Sequence, residues 1–267
     1  MISFFIKKNF CDGWDNVFWL ILSNILCFAI IIACYFAGSW VLQISSWPEW
    51  LPITISIILL VLAAFGVFTF ILSINDSCAK IADFKSVQIK EVFKNLKTCV
   101  KDGAILTVFF SVITFLAVVS VYFYLQMGNM LGLFLSALVV WGFLFLVLAL
   151  QWYFPLRAQM HGGFRKTLKK SFIMFLDNTG FSIFMFFYNL ILIALSIFIF
   201  LIPGFSGLCL SMNNALRLRL YKYDWLEEHP GLTAKEANKL VPWGELIAED
   251  YETLGPRPLK SFIFPWK

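Results

Sequence analysis

The sequence predicts an all-α, polytopic membrane helix bundle with a short cytoplasmic tail, and three observations carry that expectation. First, 60% of the 267 residues are hydrophobic and only 14% are charged, with mean hydropathy +0.82. Soluble domains carry roughly a quarter charged residues. Second, five apolar runs are each long enough to cross a hydrocarbon core of about 30 Å. Third, the basic residues cluster in alternate connecting segments. So much apolar surface needs lipid as its solvent, which argues against soluble enzymes, disulfide-stapled secreted domains, disordered regulators and nucleic-acid binders. The six cysteines form no CxxC pair, so neither a zinc site nor a disulfide framework is indicated; Cys27, Cys34 and Cys209 read as small apolar fillers.

The first span, 17–42, is too long for the apolar region of a signal peptide, lacks a small-residue cleavage site and follows Lys7, Lys8, Asp12 and Asp15. It reads as a retained helix. The second and third spans cover about 50–74 and 104–125. Between them, residues 75–103 carry Lys80, Lys85, Lys90, Lys94, Lys97 and Lys101. The fourth and fifth spans cover about 131–151 and 181–202, separated by a segment with Arg157, Arg165, Lys166, Lys169 and Lys170. The connections 43–49 and 126–130 contain no lysine or arginine. Positive loops face the cytoplasm. This fixes the orientation, with Trp40, Trp47 and Trp50 at the outer interface and the N-terminus in the cytoplasm.

Five spans would strand Arg217, Arg219 and Lys222 outside. The break at Pro203-Gly-Phe-Ser-Gly207 offers a return through a sixth helix, about 207–223, short or re-entrant. Asn213 and Asn214 are tolerable in it only if that helix is internal to the bundle. The membrane domain is then 1–220, with both termini in the cytoplasm of a bacterial inner membrane.

Three stretches, Lys7 to Phe10, Lys90 to Phe93 and Lys169 to Phe172, each precede an apolar helix. Their spacing suggests three units of an amphipathic lead-in plus a helical hairpin. In 89–100, Ile89, Val92, Phe93, Leu96 and Val100 share a face while lysines fill much of the rest. Such a helix can lie on the inner leaflet and offer its lysines to anionic lipid headgroups.

From 221 to 267 the composition changes, with eight acids against six bases. Thr233 and Glu236 form a capping-box signature, and Trp243, Leu246, Ile247, Tyr251 and Leu254 form an apolar stripe. About 47 residues cannot bury a core alone, so this tail must pack on its own bundle or on a partner in a membrane-protein complex. Trp225, Trp243, Tyr251, Phe262, Phe264 and Trp266 are the expected anchors.

The chemical motifs are weak. Gly204-Phe-Ser-Gly207 matches a GxSG nucleophile pattern, but both histidines, His161 and His229, lie in segments read as cytoplasmic, so Ser206 lacks a base at depth. His161-Gly-Gly163 reads as a turn rather than a phosphate cradle. Asp12, Asp15, Asp76, Asp102 and Asp177 read as helix-end residues. The five clear spans contain no Asp, Glu, Lys, Arg or His, which argues against ion coupling. Asn24 and Asn189 are the candidates for any intramembrane polar site. No catalytic, metal or cofactor residues are assigned.

The stretch from Trp14 to Asn24, the basic loops joining hairpins, and Pro203-Gly-Phe-Ser-Gly-Leu208 running to Leu220 resemble the YesL-like family of bacterial integral membrane proteins. The tail from Tyr221 departs from that pattern. The resemblance implies a membrane protein associated with a transport system and supplies no catalytic residues. The leading expectation is a non-enzymatic accessory or assembly subunit. The alternative is an uncoupled transporter or channel subunit for a small solute.

Overall fold

The computed structural model describes residues 1–44, 47–199, 202–229, 231 and 240–257. Every regular element among them is helical: α1 (Ile2–Asp15), α2 (Val17–Leu42), α3 (Trp50–Ala82), α4 (Ile89–Gln126), α5 (Met130–Leu150), α6 (Tyr153–Met160), α7 (Phe164–Asp177), α8 (Thr179–Phe198), α9 (Gly204–Glu228), α10 (Trp243–Leu246) and α11 (Ala248–Leu254). Five helices are long and apolar enough to cross a membrane: α2, α3, α4, α5 with its continuation through α6, and α8. Their outward faces are apolar, as at Phe18, Phe36, Leu60, Phe115 and Phe187. The protein is an all-α, polytopic integral membrane bundle.

Two helices run well past the apolar stretches that mark them in the sequence. α3 continues to Ala82 and α4 begins at Ile89, so the two form one antiparallel pair that projects beyond its apolar part. The expected interfacial helix at 89–100 is therefore the first three turns of α4. Its stripe is divided: Val92 faces the bundle, as does the neighbouring Cys99, whereas Phe93 and Val100 are exposed; Ser73 Oγ donates to the Val92 carbonyl at 2.5 Å. The two helices pack tightly at Gly103, where a Cβ would overlap Thr69. Phe68 stacks on Phe110 at 4.9 Å between centroids.

Asp76 and Asp102 consequently lie inside helices, a correction to their reading as helix-end residues. Asp12 lies in the last turn of α1, where its carbonyl accepts from Asn16 N–H, and Asp15 and Asp177 end α1 and α7. α1 and α7 are separate 14-residue helices, each leading into an apolar one. α1 presents Ile2, Ile6, Phe10 and Trp14 outward, at a spacing of four, and turns Phe4, Phe5, Lys8, Asn9, Cys11 and Asp12 inward. That polarity suits a helix bathed in lipid on its outer side.

The element that organises the bundle is α9. It packs on α1, α2, α3, α6 and α8, and thirteen of its 25 residues are buried. It runs antiparallel to α8. Gly204 N donates to Ser196 Oγ at 2.8 Å, Ser211 Oγ to Asn189 Oδ1 at 2.5 Å, and Asn178 Nδ2 to the Tyr223 hydroxyl at 2.7 Å. α9 is too polar to qualify as a lipid-exposed span. Its polar side chains are instead enclosed by other helices.

Candidate functional site: the polar seam of α9 and a pocket at the helix ends

Polar groups inside a membrane bundle must find protein partners, because lipid offers none. Along α9 nearly every polar side chain does. Ser206 N donates to Asn24 Oδ1 at 3.0 Å, while Asn24 Nδ2 donates to the Pro203 carbonyl at 2.8 Å. The Ser206 hydroxyl lies 2.9 Å from Asn24 Oδ1 and 3.1 Å from the Leu20 carbonyl. Those contacts hold Ser206 as a helix-joining residue, with no histidine against it. Two turns further, Asn213 Nδ2 donates to Asn75 Oδ1 at 2.5 Å, and Asn214 Nδ2 to Asn9 Oδ1 at 3.3 Å. Asn9 in turn donates to the Tyr188 hydroxyl at 2.8 Å.

Asn24 and Asn189, the sequence-derived candidates for an intramembrane polar site, therefore both address α9. They do so at different places, Ser206 and Ser211, and the structure does not bring them into one cavity. Their role is to tie α2 and α8 to the central helix. The thiols follow the same pattern. Cys27, Cys78 and Cys209 are unpaired and buried where α2, α3 and α9 meet, and Cys78 Sγ lies 3.6 Å from the Ser206 carbonyl.

A cavity of about 780 Å³ opens beside the start of α9, between α2 and α8. Its walls are Ile25, Phe28, Ala33, Ile193, Ile197 and Phe205, with Ser196 already engaged by Gly204. Such a lining suits acyl chains and offers nothing to a polar solute.

The polar cavity lies elsewhere, at the lysine-rich ends of α3 and α4 beside α6. It measures about 680 Å³ and is lined by Asp76, Lys80, Asp83, Asn95, Thr98, Arg157, Gln159 and His161, with two alanines. Arg157 organises one wall. Its Nη1 meets both Asp76 oxygens, at 2.7 and 2.9 Å, and its Nε meets Asp102 at 3.0 Å. One nearly buried guanidinium thus bridges three helices, and the carboxylates prepay much of its desolvation. Lys80 reaches Glu91 at 2.6 Å. At the rim, His161 ends α6 in the left-handed region, with φ 46°. The two glycines that follow allow the reversal into α7, as the turn reading of His161-Gly-Gly163 expects.

The tail anchors divide. Residues 240–257 fold onto α1 and α9. Asp250 accepts from Arg217 Nε at 3.0 Å and Nη2 at 2.8 Å, and from the Tyr221 hydroxyl at 3.1 Å. Tyr251 stacks on Phe4 at 5.9 Å, and Lys7 sits 4.6 Å from the Tyr251 ring and donates to the Gly255 carbonyl at 3.0 Å. Arg257 pairs with Asp15 at 2.6 Å. Trp243 packs against the core shared by α1, α8 and α9. Trp225 instead stacks on His229 at 4.4 Å, one turn along α9. Phe262, Phe264 and Trp266, together with the Thr233 and Glu236 capping box, lie outside the described residues.

Beneath this tail, Lys8 and Asp12 form a buried i, i+4 ion pair of 2.9 Å on α1. Lys8 Nζ also lies 3.5 Å from the Phe84 ring, which the α3–α4 connection brings over α1. Burial pushes the Lys8 ammonium below its ordinary range and the Asp12 carboxyl above its own, each opposed by the charge of the other. No family model, curated protein or solved structure matches the chain.

Proposed function

We propose that this protein is an accessory or assembly subunit of a membrane complex, engaging its partner through the polar pocket at the ends of α3, α4 and α6. The carrying observation is the division of polar capacity. Asn24, Asn75, Asn189 and Asn213 are spent on joining helices at depth, whereas Lys80, Asn95, Thr98, Gln159 and His161 surround an accessible cavity. Residues 240–257 are already committed to α1 and α9, which moves the recognition surface from the tail to this pocket. Charges of both signs line it, so its complement is a polar segment of another protein. The lysines of 75–103 support placing the pocket in the cytoplasm, with both termini on that side.

A photocrosslinking amino acid at Thr98 or Gln159 tests the reading in native membranes. A discrete protein adduct from either position, absent when the crosslinker replaces the outward-facing Phe198, is the expected result. Lipid adducts alone from all three positions would overturn it. Solute flux through the purified chain in liposomes would favour a transporter instead.

A further inference from the structure

Two arginines of the bundle, Arg157 and Arg219, are each only 7% exposed, and they are treated very differently. Arg157 is bracketed by two carboxylates. Arg219 on α9 has none among the described residues. Its Nε is sealed from solvent and finds no acceptor, and its contacts are aromatic: the Phe181 ring at 4.1 Å and the Trp243 ring at 5.7 Å from Cζ. A carboxylate in this region, Asp177, already accepts from the Tyr223 hydroxyl at 2.7 Å. Cation–π contact stabilises a guanidinium but supplies no hydrogen-bond acceptor. A buried guanidinium with an unpartnered Nε and no carboxylate beside it among the described residues lacks a counter-ion.

The position of Arg219 says which anion. Phe181 opens α8 beside Ser182. Ser182 accepts from Trp152 Nε1 at 2.8 Å through its hydroxyl and from Gln151 Nε2 at 2.9 Å through its carbonyl. Gln151 and Trp152 directly follow the apolar α5, so Arg219 lies at the level where a span gives way to its basic connection. Phospholipid phosphates occupy that level. Lys222, one turn on and 4% exposed, adds a second positive charge along α9.

We propose that Arg219 holds a phosphate group beside Phe181 and Trp243, and that a membrane phospholipid supplies it. The guanidinium donates paired hydrogen bonds to the phosphate oxygens, and the rings border the glycerol and upper acyl carbons. The site is distinct from the exposed lysines of the basic loops, because it is built into the packing of α8, α9 and α10.

The test uses the full chain, delipidated in mild detergent, with lipid retention read by native mass spectrometry and Tm by scanning fluorimetry. Phosphatidylglycerol should be retained and raise Tm; diacylglycerol with the same acyl chains should do neither. Arg219→Gln should cut phosphatidylglycerol retention by about tenfold or more, and Arg219→Lys by less. Equal behaviour of the two lipids with the wild-type chain overturns the proposal without needing any variant to fold. Unchanged retention in both Arg219 variants also overturns it. If millimolar inorganic phosphate alone reproduces the whole Tm shift, the phosphate comes from solution and the lipid assignment falls.

Discussion

The junction of Asn24 with the start of α9 makes a quantitative prediction. Asn24→Ala removes the acceptor of Ser206 N–H and the donor to the Pro203 carbonyl. The Ser206 hydroxyl keeps the Leu20 carbonyl and the Pro203 carbonyl keeps Gly207 N–H at 3.0 Å, so one buried backbone group, Ser206 N–H, is orphaned. At about 1–3 kcal/mol for one such group, moderated by the smaller values found inside membranes, the expected loss is roughly 1–2 kcal/mol. Gly204→Ala attacks the same junction from the other side. Gly204 has φ +60°, which costs a side chain about 1–2 kcal/mol, and a Cβ there would overlap the Asn24 carboxamide. With Asn24 already alanine the overlap vanishes and only the backbone cost remains. The two losses should therefore fall short of additivity by about 1–3 kcal/mol. Unfolding by SDS titration in mixed micelles measures all four corners of the cycle. Costs that sum to within about 0.5 kcal/mol would refute this account of how α9 is seated.

Gly103→Ala should force α3 and α4 apart, because the new Cβ would overlap the Thr69 side chain and reach its Cα at 3.0 Å; a loss of about 1–3 kcal/mol is expected as a lowered Tm. Asp12→Asn leaves the Lys8 ammonium buried without its counter-charge. Because burial holds the Lys8 pKa below its unfolded value, the unfolded chain binds more protons, and the variant's stability should climb with pH until the unfolded lysine titrates near 10.5. Tm measured from pH 7 to 10 checks this, with a flat profile as the contrary result. Arg217→Met strips Asp250 of its guanidinium and also releases Asp83. The tail should then loosen, read as cleavage within 240–257 at least about tenfold faster under limited proteolysis, consistent with the large cost of a buried carboxylate left alone.

The apolar spans were legible because hydropathy reports contact with lipid, and α2 and α5 appear within a residue of where composition puts them. The same signal misses the last turns of α3 and the first of α4, since helicity there is maintained by packing against protein and not by lipid. Asp76 and Asp102 read as helix-end residues for that reason. Their partner Arg157 is 81 and 55 residues away in sequence, a separation at which local spacing carries no information. Arg157 itself read as one more topology-setting charge. The demand that Asn213 and Asn214 sit inside the bundle was readable, because an amide at depth leaves few alternatives. Which amides would meet them depends on helix crossings that no periodicity encodes. Of the tail anchors, Trp243 and Tyr251 reach the bundle core and α1 respectively, while Trp225 stays on α9 beside its own neighbour.

The inward polarity of α1 bears on how the chain is made. Lys8, Asn9 and Asp12 leave the ribosome well before the groups that enclose them, which are far downstream. Asn9 waits for Tyr188 and Asn214, 179 and 205 residues later, and Lys7 for Gly255, 248 residues later. At about 5–20 residues per second, the opening helix spends roughly 10–40 s with its polar face unsheltered at the membrane. The packing of α1 is therefore provisional until α8, α9 and residues 240–257 arrive. A nascent chain stopped before α9 leaves the Lys8–Asp12 pair without the helix that α1 packs on.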